Sequence, residues 1–233
     1  MPPARDVPPA AGDMGASSAR PVRSGFFLTF EGIEGSGKSL QARLLVERLA
    51  RNGIDALHTR EPGSTPLGDH LRELVLVRDD LRPDARAEAL LMCTSRAQLV
   101  AEVISPALAS GRVVVCDRFA DSTLVYQGFG RGLDIAELCS VISFATAGLR
   151  PDMTLLLDVP VETGLRRKHA QPAHSAWNRF EAEAAAFHER VRAGYRTLAA
   201  QEPLRWRCFD AQQTPAVLAE DIWRAVAPAV RLA

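Results

Sequence analysis

Short, continuously apolar runs alternate along this chain with longer stretches in which apolar residues recur every three or four positions. The first run, Phe26-Phe27-Leu28-Thr29-Phe30, is rich in β-formers and predicts a buried strand. After it, Leu40, Leu44, Leu45 and Leu49 share one helical face, and Asn52-Gly53 stops that helix. Residues 54–58 read as a second strand and 67–77 as a helix with Pro66 near its start. A longer helix is expected over 85–109, bent near Pro106 and ended at Gly111. The runs 113–116, closing on Asp117, and 154–157, closing on Asp158, are further buried strands. Helices are expected over 134–146, 161–168, 179–200 and 215–230, an irregular polar stretch over 169–178, and a last strand over 205–209. Strands that alternate with helices, several of them apolar throughout, predict an α/β fold: a parallel sheet of about five strands with helices on both faces. Such sheets bind ligands beyond the carboxyl ends of their strands. The residues just after Phe30, His58, Cys116 and Leu157 therefore carry the functional question.

The first of these places holds Gly32-Ile33-Glu34-Gly35-Ser36-Gly37-Lys38-Ser39, which reads G-x-x-x-x-G-K-S between a strand and a helix. Glycines let backbone N–H groups converge on phosphate oxygens, and the helix that opens here with Leu40 in its first turn adds its free N–H groups. Lys38 has the reach for β- and γ-phosphates, and the Ser39 hydroxyl is a Mg²⁺ ligand in such loops. Asp117, at the end of a buried strand, is the second expected metal residue. Arg118 beside it would face the same cleft and bridge donor and acceptor phosphates with its planar fork. Arg60 lies in the turn Thr59-Arg60-Glu61-Pro62-Gly63-Ser64-Thr65, which as a pattern is equally a surface loop. Glu88, Met92 and Arg96 recur every four residues on one helix face, which fits a salt bridge beside a core methionine as well as a ligand wall. In the segment 121–132, Thr123, Tyr126 and Gln127 offer groups able to recognise a base or sugar, or else to satisfy a glycine-rich surface loop. Arg166, Arg167 and Lys168, with the later Arg179, bracket the polar stretch and suggest a basic lid over about 166–180; a solvated helix end has the same composition.

Composition narrows the partners. Lys+Arg and Asp+Glu are both 28, and a net charge of zero argues against a general binder of nucleic-acid polymers or membrane surfaces. No apolar run approaches the roughly 20 residues that span a bilayer. Four scattered cysteines without a C-x-x-C pattern signal neither a zinc site nor a redox pair, and together with the lack of an apolar leader they point to a cytoplasmic chain. Residues 1–24, rich in Pro, Ala, Ser and Gly, are expected to be a disordered tail ahead of a single domain over 25–233. The only lysines are Lys38 and Lys168, in a chain that otherwise uses arginine.

Four stretches agree in order and spacing: FEGIEGSGKS; TREPGST; DRFADSTLVYQGFGRG; and RPDMTLLLDVPVETGLRR with the later NRFE. With them the chain resembles the thymidylate kinase family of P-loop nucleoside monophosphate kinases, from about Phe26 onward. The resemblance implies Mg²⁺-dependent transfer of the γ-phosphoryl group of ATP to dTMP, a P-loop NTPase-type sheet with a short lid, and a homodimer. It implies that Lys38 and Ser39 serve ATP and Mg²⁺ and that Glu34 lies near the acceptor. Arg118 would hold the acceptor phosphate, and Arg96 would read the thymine edge. Thr123, Tyr126 and Gln127 would surround base and deoxyribose, and Arg60 would match the REPG arginine. Several positions depart from the family pattern. Met92 stands where phenylalanine usually stacks on thymine, and Leu40 replaces a hydroxyl residue. Ser64 stands where glycine is common, His169 and Gln171 occupy places of lid arginines, and Asn178 replaces an Asp. Three activities are therefore open at this stage: phosphorylation of dTMP, phosphorylation of another pyrimidine monophosphate, and nucleotide binding with weak turnover.

Overall fold

In the computed structural model of the protein, residues 25–78, 80–170 and 183–231 are described. Five parallel strands form one sheet in the order β2-β3-β1-β4-β5: β1 Phe26–Glu31, β2 Ala56–Arg60, β3 Val113–Asp117, β4 Met153–Asp158 and β5 Trp206–Asp210. The chain leaves β1 in the centre, builds outward to β2, returns through β3 and crosses to β4 on the other side. The resulting reversal of strand order at β1 opens a crevice above its carboxyl end.

The central strands are buried on both faces, which accounts for their unbroken apolar runs. Alternation still decides which layer each side chain meets. Leu28, Phe30, Val113 and Val115 pack with Leu45 and Leu49 of α1 (Lys38–Arg51). Phe27, Val114 and Cys116 pack with Leu99, Ile104 and Leu108 on the opposite face. A third cluster joins Ala89 and Cys93 of α3 (Ala85–Leu99) to Leu138, Ile142 and Ala145 of α6 (Ile135–Thr146). The register aligns the site: Arg60 pairs with Asp117, Asp117 with Phe30, and Phe30 with Leu155. One row across four strands thus delivers Arg60, Asp117 and the start of the glycine loop to the same height.

Two stretches differ from the sequence expectation. β2 runs Ala56–Arg60 rather than 54–58, because Ile54 N–H caps α1 by bonding Leu49 O while Ala56 begins the pairing with Val113. As an edge strand with exposed His58 and Arg60, it lacks the continuous apolar signature of its neighbours. The segment around 121–132, readable from its glycines as a loop, is helical: α5 (Ala120–Thr123) runs into π-helical turns over Leu124–Gly130. Its glycines serve close packing. A Cβ on Gly128 would lie 2.4 Å from Ile135 Cδ1, and one on Gly130 would lie 2.6 Å from the Phe187 ring.

The long helix is continuous. α3 passes through a π-helical turn at Val100–Ile104 into α4 (Ser105–Ala109), where Pro106 lacks the N–H for a regular ladder. The remaining helices are α2 (Pro66–Arg72), α7 (Val161–His169), α8 (Ala185–Gln201) and α9 (Pro215–Val230). Among the described residues no helix is long and apolar enough to cross a membrane. The tail 1–24, most of the expected lid and Arg179 lie outside the described residues.

Candidate active site

A cleft of about 600 Å³ opens above the carboxyl ends of β1, β2 and β3. Its floor is the glycine loop. Gly35 adopts φ +72°, and a Cβ there would sit 1.9 Å from Gly164 O of α7, so loop and helix touch backbone to backbone. Reciprocally, a Cβ on Gly164 would lie 2.5 Å from Glu34 O. Gly37, at φ +94°, turns the chain into α1, whose first free N–H groups open into the cleft.

Lys38 lies across the loop, its Nζ donating to Ile33 O at 2.8 Å and Ser36 Oγ at 3.2 Å. Burial and the nearby Arg118 guanidinium depress its pKa to about 8, against the pull of Asp117, Glu34 and Glu31. A pH dependence follows. The protein loses the Lys38 charge as pH rises through about 8, so its affinity for a phosphate-rich ligand falls above that pH. Equilibrium binding of inorganic triphosphate from pH 6.5 to 9.5 tests this. A flat profile across pH 8 would show that Lys38 does not carry the binding charge.

The Ser39 hydroxyl donates to Asp117 Oδ2. A hydroxyl and a carboxylate converging beside a phosphate loop form a hard-oxygen pair that fits Mg²⁺, a cation that keeps several waters and uses few protein ligands. Among the described residues no group of three or more His, Cys, Asp or Glu gathers as a denser metal cage.

Arg118, in the left-handed region at φ +70°, is held by a bond from its N–H to Phe30 O at 3.0 Å. Its guanidinium is heavily engaged. One terminal nitrogen donates to Gly32 O, Ser122 Oγ and Tyr195 OH at 3.2, 3.3 and 3.2 Å. The other donates to Glu34 Oε1 at 2.9 Å and Tyr126 OH at 3.1 Å. Tyr126 in turn donates to the Glu34 carboxylate at 2.7 Å. Burial pushes the Glu34 carboxyl upward, but Arg118 and the surrounding donors outweigh it and hold the group well below the usual carboxylate range.

The far wall is built around Arg96, which is 2% exposed. It donates to Glu61 Oε2 at 2.8 Å, Phe119 O at 3.1 Å and Thr123 Oγ1 at 3.0 Å. Met92 lines the cleft one helical turn before it. Gln127, equally buried, commits its amide nitrogen to Glu88 Oε1 at 2.7 Å. The expected Glu88–Arg96 salt bridge on one helix face does not form; Arg96 pairs instead with Glu61 and Glu88 with Arg131. Arg60 is exposed at the cleft edge. From α7, Arg167 and Lys168 line the cleft, Arg167 being tied to Ala211 O at 2.7 Å, whereas Arg166 points to solvent near Glu162.

Three site residues had not been singled out from the sequence. Glu61 is buried against Arg96, and burial lifts its carboxyl to about 7 in spite of that partner. Its place next to Arg60 in the REPG turn was the available signal. Arg72 reaches the cleft from α2 and donates to Pro62 O at 3.0 Å. Nothing in its helix pattern distinguishes it from the other arginines. Glu31, accepting from Phe119 N–H, Ser122 and Tyr195, is raised to about 6 by burial and by Asp121.

A family model described as "Thymidylate kinase" matches residues 30–222. The chain belongs to the thymidylate kinase family. The thymidylate kinase of Roseiflexus castenholzii (strain DSM 13941 / HLO8) is 49% identical over 212 residues, covering 87% of this chain and 93% of its own. That of Desulfovibrio desulfuricans (strain ATCC 27774 / DSM 6949 / MB) is 52% identical over 196 residues, covering 81% and 89%. The crystal structure of thymidylate kinase from Ehrlichia chaffeensis superposes with a TM-score of 0.69 at 29% identity, covering 87% of this chain and 98% of that one. The thymidylate kinase fold, a parallel sheet with the glycine loop at its centre, is the architecture found here.

Proposed function

We propose that the protein transfers the γ-phosphoryl group of ATP to dTMP, giving ADP and dTDP, with Mg²⁺ as cofactor. The observation that carries this is the layout of one cleft. The phosphate loop with Lys38 and Ser39, the buried Arg96 and the Asp117-Arg118 pair all line it. Membership of the thymidylate kinase family supports the choice of acceptor.

The acceptor phosphate is largely dianionic near neutral pH, so the reaction needs no strong base. It needs two polyanions aligned and the charge on the transferred group stabilised by donors fixed in advance. The loop N–H groups and Lys38 take the β- and γ-phosphates. Arg118 turns to the acceptor phosphate and gives up its pairing with Glu34 to do so. Arg96 presents its one remaining N–H, on the terminal nitrogen that also donates to Cys93 Sγ, to the base edge, with Met92 packing against the ring. Thr123 and Gln127 line the base and sugar pocket, and Arg60 adds charge at the cleft edge. Ser39 and Asp117 would hold Mg²⁺, which supplies charge neutralisation between the phosphates. Arg167 and Lys168 bring cations from the end of α7, joined by Arg166 and Arg179 of the lid over about 166–180. We further infer a single kinase domain over 25–233, association as a homodimer and a cytoplasmic location.

Met92 favours one second reading, a kinase with a different pyrimidine monophosphate as its preferred acceptor, because a thioether selects less sharply than an aromatic face. The purified protein incubated with ATP, Mg²⁺ and a panel of dTMP, dUMP, UMP and CMP tests both. Conversion of dTMP with the highest kcat/KM is expected. A better acceptor among the others would move the assignment, and nucleotide binding without turnover would remove it.

A further inference from the structure

His188 of α8 is fully buried, and among the described residues neither ring nitrogen makes a hydrogen bond. An imidazole without partners in the core is costly, and such groups require an account. The ring packs edge-on to Phe187, with centroids 5.6 Å apart. Its Nδ1 lies 3.5 Å from Glu34 Oε2, just beyond hydrogen-bond reach. The same helix sends Tyr195, one side-chain face further along at i+7, to Arg118 and Glu31. α8 thus aims two polar groups at the two acids that surround Arg118.

Glu34 already has its donors, Arg118 and Tyr126. An acceptor phosphate that draws Arg118 away leaves a buried carboxylate one charged donor short. His188 is the group beside it that has nothing to give up. We propose that His188 is a positioning residue that takes up the Glu34 carboxylate through its Nδ1–H when Arg118 swings to the acceptor phosphate. A movement of roughly 0.5 Å closes the gap to ordinary hydrogen-bond length. No covalent step is involved; the role is to keep Glu34 ionised, paired and in place while Arg118 is engaged elsewhere.

This inference rests on the acceptor role proposed for Arg118, and the experiment separates the two. Wild type, His188→Leu and His188→Asn are compared, each alone and in a Glu34→Gln background, for kcat and KM toward dTMP and ATP and for thermal midpoint. His188→Leu is expected to raise the dTMP KM at least about tenfold, as for loss of a hydrogen bond to a charged group, with the ATP KM within about twofold. His188→Asn, which keeps an N–H near Nδ1, restores most of it. In the Glu34→Gln background His188→Leu adds little, because the charge it serves is gone. The thermal midpoint of His188→Leu holds or rises, since an unpaired polar ring has been replaced by an apolar one. An unchanged dTMP KM, an equal rise for both substrates, or a full extra penalty in the Glu34→Gln background overturns the role. If the leucine variant unfolds, His188→Met takes its place in the same comparison. Failure of wild type to phosphorylate dTMP would instead overturn the function.

Discussion

Lys38→Ala is expected to lower kcat/KM for ATP by about a hundred- to a thousandfold, the usual loss when one fixed donor to a developing anion is removed. Lys38 is 6% exposed and bonded to Ile33 O and Ser36 Oγ, so its ammonium is held over the loop by the protein itself. The only other lysine, Lys168, lines the cleft from the end of α7 and is not part of the loop. Lys38→Arg does not restore the rate, because a planar fork in a space shaped for a point charge displaces the loop carbonyl. Single-turnover rates at saturating ATP, together with equilibrium ATP binding, separate lost chemistry from lost affinity. Near-normal turnover in the alanine variant would remove the loop from the mechanism.

Arg118→Ala has two expected effects of different kinds. The first is on acceptor use: kcat/KM for dTMP falls by at least about a hundredfold, while ATP affinity changes by no more than a few-fold. The second is on stability. Arg118 is the charge partner of buried Glu34, and breaking a buried pair by removing one member costs about 3–5 kcal/mol. Glu34→Gln in the Arg118→Ala background therefore recovers part of the lost thermal midpoint without recovering activity. A variant that loses ATP affinity and keeps normal dTMP use would show that Arg118 serves the donor. Because Arg118 enters the reaction already paired, an incoming acceptor must displace Glu34 from it. A phosphate dianion can do so, whereas a neutral nucleoside has no charge with which to compete.

The strands and the glycine loop were legible because each is a short-range pattern. β1, β3 and β4 are buried on both faces and so spell themselves as unbroken apolar runs. Asp117 and Arg118 could be expected in the cleft because ligand crevices open at strand ends in this architecture. β2 was misplaced by two residues because its boundary is set by pairing with β3, which its own sequence does not contain. The helical path of 120–130 was hidden because Gly128 and Gly130 suggest a loop when read alone, although each is small to admit Ile135 or Phe187. The partner of Arg96 was missed for the same reason. Helical spacing offered Glu88, but the chain brings Glu61 from another element, 35 residues away. His188 reads as one polar position in an amphipathic helix, and only the fold sets it beside Glu34.

The contact between Gly35 and Gly164 fixes how mechanical load passes through the molecule. With no side chains between them, there is no soft layer to absorb a tilt of α7, so helix and loop behave as one stiff piece. Arg167, tied to the strand-five loop at its other end, stands on that piece. The cations of α7 are consequently anchored to the same chassis as the phosphate loop itself.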